Sequence, residues 1–221
     1  MLDLCVQMIV RNGDDYMTPC IEAVAPHVKK IKICMDSRSN DDTYLQITRL
    51  VQRFPNVEGD IFKVLEPNKD LVAMRNTLLS FDESWGLIMD SDEYHYDIQN
   101  LQLGDKEAYL LQCFAVWDEK QIHKSSSKAK IGRLFKNQPH LQWKGGFGRE
   151  KLYVGDKPIF DDAPMLDYRY IHFTHIKKDT WRSEMRQKRI ADGKNLSKTP
   201  QHIINITNSV HERMSSLPKY R

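Results

Sequence analysis

Apolar and polar positions alternate along this 221-residue chain in two rhythms. Leu4-Cys5-Val6-Gln7-Met8-Ile9-Val10 is a nearly continuous apolar run, the signature of a strand covered on both faces, and Arg11-Asn12-Gly13-Asp14-Asp15 stops it. Thr18 reads as an N-cap with Pro19 at the first helical position, and Ile21, Val24 and Val28 recur at helical spacing behind it. Ile31-Lys32-Ile33-Cys34-Met35 predicts a second strand ending at Asp36. After the loop SRSNDDT, Ile47, Leu50, Val51 and Phe54 form one helical stripe, closed by Pro55-Asn56. A third strand is expected near 61–65, a third helix over 71–81 and a fourth strand at Leu87-Ile88-Met89.

This alternation predicts parallel strands joined by crossover helices, an α/β sheet of Rossmann-like type flanked by helices. Such sheets bind ligands at the carboxyl ends of their strands. Arg11, Asp36 and Asp90 all fall just past predicted strand ends, so they are expected along one edge. The second half is less regular. Tyr109–Trp117 and Tyr168–Phe173 read as strands, Ser125-Ser126-Ser127 as a loop and Lys144–Gly148 as a turn. A helix is expected from Thr180 to Gly193. A last one follows Thr199-Pro200, burying Ile203, Ile206, Val210 and Met214. The expected division is a domain over 1–176, with a nucleotide-binding half (1–100) and an acceptor half (101–176), followed by a C-terminal helical extension over 177–221.

Composition narrows the class. With 40% hydrophobic residues the chain can bury a core, and no run of about 18 apolar residues would span a membrane. The start MLDLCVQMIV lacks the basic beginning of a targeting segment and reads as a strand. Cys5, Cys20, Cys34 and Cys113 show no CxxC pairing, as expected of reduced thiols in a cytoplasmic protein. The net charge of +3 is uneven: residues 177–198 hold eight Lys/Arg against three Asp/Glu, which leaves the remainder at −2. Such a basic segment suits an anionic acceptor, a phosphate or a membrane surface, or is simply a solvated helix face.

The chemistry concentrates in WGLIMDSDEY, residues 85–94, where a buried-looking strand runs into Asp90, Asp92 and Glu93. In an extended segment Asp90 and Asp92 share a side, and two hard oxygen ligands at that spacing suit Mg²⁺ or Mn²⁺. A divalent ion would supply the positive charge that these carboxylates lack. A bare DxD arises often by chance, and a turn in which Asp and Ser bond their own backbone is the plain alternative.

Several segments, taken in order, resemble one family. MIVRN is similar to MIVKN, MDSRSNDDT to VDTGSTDGT, and LVAMRNTLLSFDESWGLIMDSDEY to a stretch carrying ARN, a strand and DADE. GRLFKN and WKGGFGREKLYVGD resemble RLFR and FEGRVHEKL, and YIHFTHIKKDTWRSEMRQKR resembles LHYSY followed by a basic helix. The family is the family 2 glycosyltransferases of the GT-A fold, specifically the small enzymes related to lipopolysaccharide-core glucosyltransferases. The resemblance covers about residues 4–190.

The resemblance implies a metal-dependent transfer of a sugar from a nucleotide-diphosphate donor, a UDP-sugar, to an acceptor hydroxyl, with inversion, using Mn²⁺ or Mg²⁺. Val10 and Arg11 would border the nucleobase, Asp36 would hydrogen-bond it, and Arg75 would lie near the diphosphate or the aspartates. Asp90 and Ser91 would contact the nucleotide sugar. Asp90, Asp92 and His172 would hold the metal, with His175 competing for the last place. Glu150, at the VHE glutamate position, would be the general base that an inverting transfer requires, with Asp118, Asp156 and Asp162 as rivals. Trp143 and Phe147 would form either a sugar platform or core.

Two departures stand out: Gly13 replaces the family's glutamate, and Arg149 replaces the VHE histidine. The acceptor is therefore open between a surface glycan or lipopolysaccharide and a hydroxymethylated DNA base, the latter placing the enzyme in a phage-infected host cytoplasm. A metal-dependent nucleotide phosphohydrolase and a non-catalytic nucleotide-sugar binding module are the alternatives from other classes.

Overall fold

The computed structural model describes residues 1–13, 16–118, 121–123, 130–146, 149–173, 196–198 and 200–216. In chain order the elements begin β1 (Leu2–Val10), α1 (Met17–Val24), β2 (Val28–Asp36), α2 (Thr43–Arg53), β3 (Val57–Phe62), α3 (Pro67–Thr77), β4 (Trp85–Ile88) and β5 (Glu93–Tyr94). They continue β6 (Ala108–Asp118), β7 (Gln121–His123), β8 (Lys130–Lys136), β9 (Leu141–Lys144), β10 (Lys151–Val154), β11 (Lys157–Pro158), β12 (Met165–His172), β13 (Leu196–Lys198) and α4 (Gln201–Ser216).

Strands β3-β2-β1-β4 lie side by side and parallel, as the alternation of strands and helices requires. Beyond β4 the sheet continues through antiparallel β8 to β6, and β12 pairs parallel to β6. β9, β10 and β11 form a separate antiparallel sheet. The fold is thus the expected α/β arrangement, a Rossmann-like sheet flanked by helices. Among the described residues no helix is long and apolar enough to cross a membrane.

Central β1 is buried along most of its length, and Leu4, Val6 and Met8 are fully enclosed. Its one buried polar side chain, Gln7, donates through Nε2 to the Leu78 carbonyl at 2.9 Å and so ties the end of α3 to the sheet. Gly86 explains how β4 meets β8. A Cβ there would lie 2.3 Å from Phe135 Cζ, so only a glycine lets the ring cross the strand.

Three boundaries differ from expectation. The third strand is Val57–Phe62, because the apolar residues that pointed to 61–65 are those of an edge strand and its exit. Ile61 and Leu65 are 57% and 75% exposed. The third helix starts at Pro67, where Asp70 Oδ2 accepts the Leu65 and Glu66 N–H groups, and it tightens into three-residue turns after Thr77. The first helix opens at Met17, one residue before the proposed cap, and Thr18 Oγ1 bonds Gln46 Oε1 at 2.7 Å instead.

Helix α4 buries Ile203 and Val210 and packs against α1, with Arg213 donating to Glu22 at 2.8 and 2.6 Å. The expected helix over 180–193, the Ser125–Ser127 loop, Phe147, His175 and nearly all of the basic segment lie outside the described residues.

Candidate functional site

The parallel register gathers the predicted residues on one edge. Val10 pairs with Met35 and Gln7 with Ile88, so Arg11, Asp36 and Asp90 follow at the carboxyl ends of β1, β2 and β4. The first two loops interlock there. Asn12 takes a left-handed conformation (φ 51°) and its Oδ1 accepts the Asn40 N–H at 3.0 Å, while Gly13 N–H donates to Thr43 Oγ1 at 2.8 Å. Gly13 lies over Val10 and Ser91, both buried. A Cβ on it would fall 2.3 Å from Val10 Cγ2 and 3.3 Å from Ser91 Oγ.

Asp36 is 5% exposed, and Arg38 occupies both its oxygens: Nε donates to Oδ1 at 3.0 Å, Nη2 to Oδ2 at 2.5 Å, and the Arg38 backbone N–H to Oδ1 at 2.9 Å. Burial alone would raise the Asp36 carboxyl. These bonds outweigh it, with Arg11 adding to them, and hold the pKa below the usual range. The nucleobase position of the resemblance is therefore an Asp–Arg pair.

The acidic stretch is a turn and not the extended segment that the spacing suggests. Glu93 N–H closes it on the Asp90 carbonyl at 3.0 Å, and Glu93 Oε2 accepts the Asp90 N–H at 3.0 Å. Asp90 and Glu93 of this turn share a positive partner in Arg133, on β8. One guanidinium nitrogen donates to Asp90 Oδ2 at 2.7 Å and to Glu93 Oε1, and Arg133 Nε faces the Tyr170 hydroxyl at 3.5 Å. Tyr170 stacks on His95 at 4.9 Å between centroids, and His95 Nδ1 lies 3.2 Å from the Tyr168 hydroxyl. Burial holds His95 neutral, with its pKa lowered to about 3, so this polar column adds no second charge behind Arg133.

Burial splits the carboxylates. Asp90 has a 39% exposed side chain, and its Oδ1 accepts no hydrogen bond from a described residue, whereas Glu93 is fully enclosed. Burial raises Asp90, but Arg133 more than offsets it and the pKa falls. Burial pushes the Glu93 carboxyl up, to about 7, against the pull of Arg133.

His172 arrives by strand pairing: β12 runs antiparallel to β5 with His172 opposite Glu93, and Phe173 N–H donates to the Asp92 carbonyl at 2.9 Å. Its Nε2 lies 3.3 Å from Asp92 Oδ1. Burial would lower the imidazole pKa, but hydrogen bonds to Asp92 and Cys113 and the charges of Asp92 and Glu93 together outweigh it and raise the value well above the ordinary range. Asp90, Glu93 and His172 each offer one ligand atom, and these lie within 4.8 Å of one another. Two carboxylates and an imidazole so grouped fit Mn²⁺ or Mg²⁺. Asp90 and His172 of the expected set are thus together, Glu93 joins them, and Asp92 faces the group through His172.

Arg75 reaches the same place from α3. Its guanidinium lies 4.7 Å over the Trp143 ring, and its Nε is buried with no hydrogen-bond partner among the described residues. Burial lowers its pKa, Asp90 opposes this, Arg133 adds to it, and Glu150 and Glu93 oppose it again. Arg75 therefore sits in the field of both the acidic turn and Glu150, which is itself partly buried. Trp143 is 7% exposed and belongs to a core cluster with Leu152 and Phe135, so it is packing and not an open platform. Of the rival bases, Asp156 and Asp162 are exposed on the surface, and the Asp118 side chain lies outside the described set.

Sequence reasoning passed over Arg133 and Tyr170. The available signal was an arginine inside the apolar run GRLF, where a strand flanked by buried positions has no ordinary use for a charge.

No protein-family model matches the chain, and no curated protein matches its sequence. Among solved structures it is similar to residues 1–349 of TarS from S. aureus, with 16% identity over 62% of this chain and 47% of that one and a TM-score of 0.43. It is also similar to the mannosyltransferase PcManGT from Pyrobaculum calidifontis, solved with GDP-Man and Mn²⁺, with 14% identity, 61% and 44% coverage and a TM-score of 0.45. A nucleoside-diphosphate-sugar pyrophosphorylase from Vibrio cholerae matches at 10% identity, 62% and 67% coverage and a TM-score of 0.36. The chain spans less than half of the first of these structures, and every score lies below 0.5, so neither the fold nor the site described above rests on them.

Proposed function

We propose that this chain is a metal-dependent glycosyltransferase that moves a sugar from a nucleotide-diphosphate donor, a UDP-sugar, to an acceptor hydroxyl with inversion. The observation that carries the reading is the Asp90 carboxylate, 39% exposed, whose Oδ1 accepts no hydrogen bond from a described residue. It stands beside His172 and Glu93 at the carboxyl end of a parallel sheet, where the loops after β1 and β2 also converge. The ordered motifs of the sequence point the same way.

Asp90, Asp92 and His172, joined by Glu93, would hold Mn²⁺ or Mg²⁺, which when bound neutralises charge on the departing diphosphate. Arg75, buried with a free Nε, would lend a hydrogen bond and a positive charge to the diphosphate. Val10, Arg11, Asp36 and Ser91 would frame the nucleoside. Glu150 would take the proton of the acceptor hydroxyl as its oxygen attacks the anomeric carbon, which passes through an oxocarbenium-like state. The acceptor is a surface glycan or lipopolysaccharide, or a hydroxymethylated DNA base, and the enzyme works in the cytoplasm.

Calorimetry with UDP, with and without Mn²⁺, followed by chromatography of products from a panel of nucleotide sugars, tests this reading. UDP binding that needs Mn²⁺ and is lost in Asp92→Ala is the expected result. Nucleotide hydrolysis without sugar transfer to any acceptor would mark a phosphohydrolase, binding without turnover a binding module, and no UDP binding would end the reading.

A further inference from the structure

The acidic turn is already neutralised in part by the protein itself. Arg133 is 8% exposed, and one of its nitrogens bridges Asp90 and Glu93, the same two carboxylates that contribute to the candidate metal cluster. It approaches from inside the sheet and is braced at Nε by Tyr170, itself stacked on the enclosed His95. Among the described residues nothing donates to Asp90 Oδ1, and the Asp90 side chain is 39% exposed. Counted with a neutral His172, the form in which an imidazole can be a ligand, Asp90, Asp92 and Glu93 with Arg133 carry two net negative charges, the amount that one divalent ion balances.

We propose that Arg133 is a resident counter-ion of the metal site: it keeps the turn formed without metal and weakens metal binding until a donor diphosphate adds its own oxygens. The proposal rests on the metal-dependent reading above. Each carboxylate oxygen that donates its charge to a guanidinium holds a cation less strongly, and a fixed positive charge within hydrogen-bond distance repels the ion directly. With Arg133 in place, the loaded turn is near neutral and accepts a diphosphate. Without it, three carboxylates and one divalent ion leave a negative charge facing the diphosphate. Metal and donor therefore bind cooperatively in the natural protein, and Arg133 is the source of much of that coupling. It touches neither donor nor acceptor and is a positioning residue.

The test is Mn²⁺ binding, read from the resonance of free Mn²⁺, with and without UDP, at about pH 8 so that the carboxylates are ionised. Arg133→Met is expected to bind Mn²⁺ alone about tenfold more tightly than the natural protein, and UDP should then strengthen its Mn²⁺ binding about tenfold less. Arg133→Lys, which keeps the charge, should behave like the natural protein in both. If Arg133→Met does not fold, Arg133→Gln keeps a hydrogen-bond donor toward Asp90 and Glu93 while removing the charge, and should show the same tenfold tightening and the same smaller response to UDP. Unchanged or weaker Mn²⁺ binding by a folded Arg133→Met or Arg133→Gln overturns the proposal and leaves the metal-dependent reading standing. A natural protein that binds no Mn²⁺ with or without UDP overturns both.

Discussion

Asn76 and Trp143 are joined by both ends of one amide: Asn76 Oδ1 accepts the Trp143 N–H at 2.8 Å and Asn76 Nδ2 donates to the Trp143 carbonyl at 3.1 Å. The side chain thus acts as one rung of a β-ladder along β9. It fixes α3 against the small sheet and so places Arg75, the preceding residue, over the Trp143 ring. Asn76→Ala removes two partly buried hydrogen bonds and leaves two backbone groups without partners. The expected cost is about 1–3 kcal/mol in urea unfolding, and Asn76→Asp, whose second oxygen would face the Trp143 carbonyl with no proton to donate, should also destabilise. Because Arg75 shifts with the helix, UDP binding in Mn²⁺ should weaken in Asn76→Ala. Unaltered stability would show that the amide contributes nothing to holding the helix.

The His172–Asp92 contact carries a pH signature. The imidazole pKa is raised in the folded protein, so the pair's stabilisation is fully present below the unfolded value of about 6.5 and is lost as pH rises through the folded value. Metal binding runs the other way, since an imidazole must shed its proton to become a ligand. Mn²⁺ affinity should therefore rise with pH through the neutral range. Calorimetry in buffers of different ionisation enthalpy should show a proton released on binding. In metal-free protein, Asp92→Asn should flatten the decline of stability with rising pH. A Mn²⁺ affinity indifferent to pH would exclude His172 from the ligand set.

Strands one, two and four were legible because each is an apolar run closed by polar or turn residues, as a parallel strand covered on both faces must be, whereas the exposed edge strand Val57–Phe62 carries no such run and was placed too late. Asp36 and Asp90 could be placed for the same reason: the end of a parallel strand is a position along one shared edge. What pairing across long stretches of sequence decides was not legible. Arg133 reaches Asp90 only because β8 enters antiparallel beside β4, and His172 meets Glu93 only through the pairing of β12 with β5. The period-two argument for Asp90 and Asp92 failed locally because Glu93 closes a turn on Asp90 instead of continuing the strand. Arg38 drew no reading from sequence, since nothing in SRSNDDT signals that its guanidinium returns to the carboxylate two residues before it.

Gly13 is a steric requirement of this chain. Any side chain there meets Val10, which is 1% exposed at the end of the central strand, and Ser91 in the acidic turn. Gly13→Ala should cost about 1–3 kcal/mol, the usual penalty of overpacking, measured by urea unfolding. Gly13→Glu, the residue of the family pattern, should cost more and should also disturb Ser91 and hence UDP binding. If Gly13→Glu proved as stable as the natural protein, the loop after β1 would have to rearrange freely, against its bonds to Thr43 and Asn40.

Glu150 stands or falls as the base by separating binding from turnover. It is partly buried and lies in the field of Arg75, which also feels Asp90, so a carboxylate there is near the diphosphate end of the site without belonging to the metal cluster. Replacement by Gln keeps the shape and removes the proton acceptor. Turnover of sugar transfer should then fall by about 10²–10⁴-fold while Mn²⁺-dependent UDP binding stays the same, because a general base acts only in the reacting complex. A parallel loss in both would mean that Glu150 holds Arg75 or the loop in place. Full activity would move the base to another carboxylate, for which exposed Asp156 and Asp162 are the next to replace.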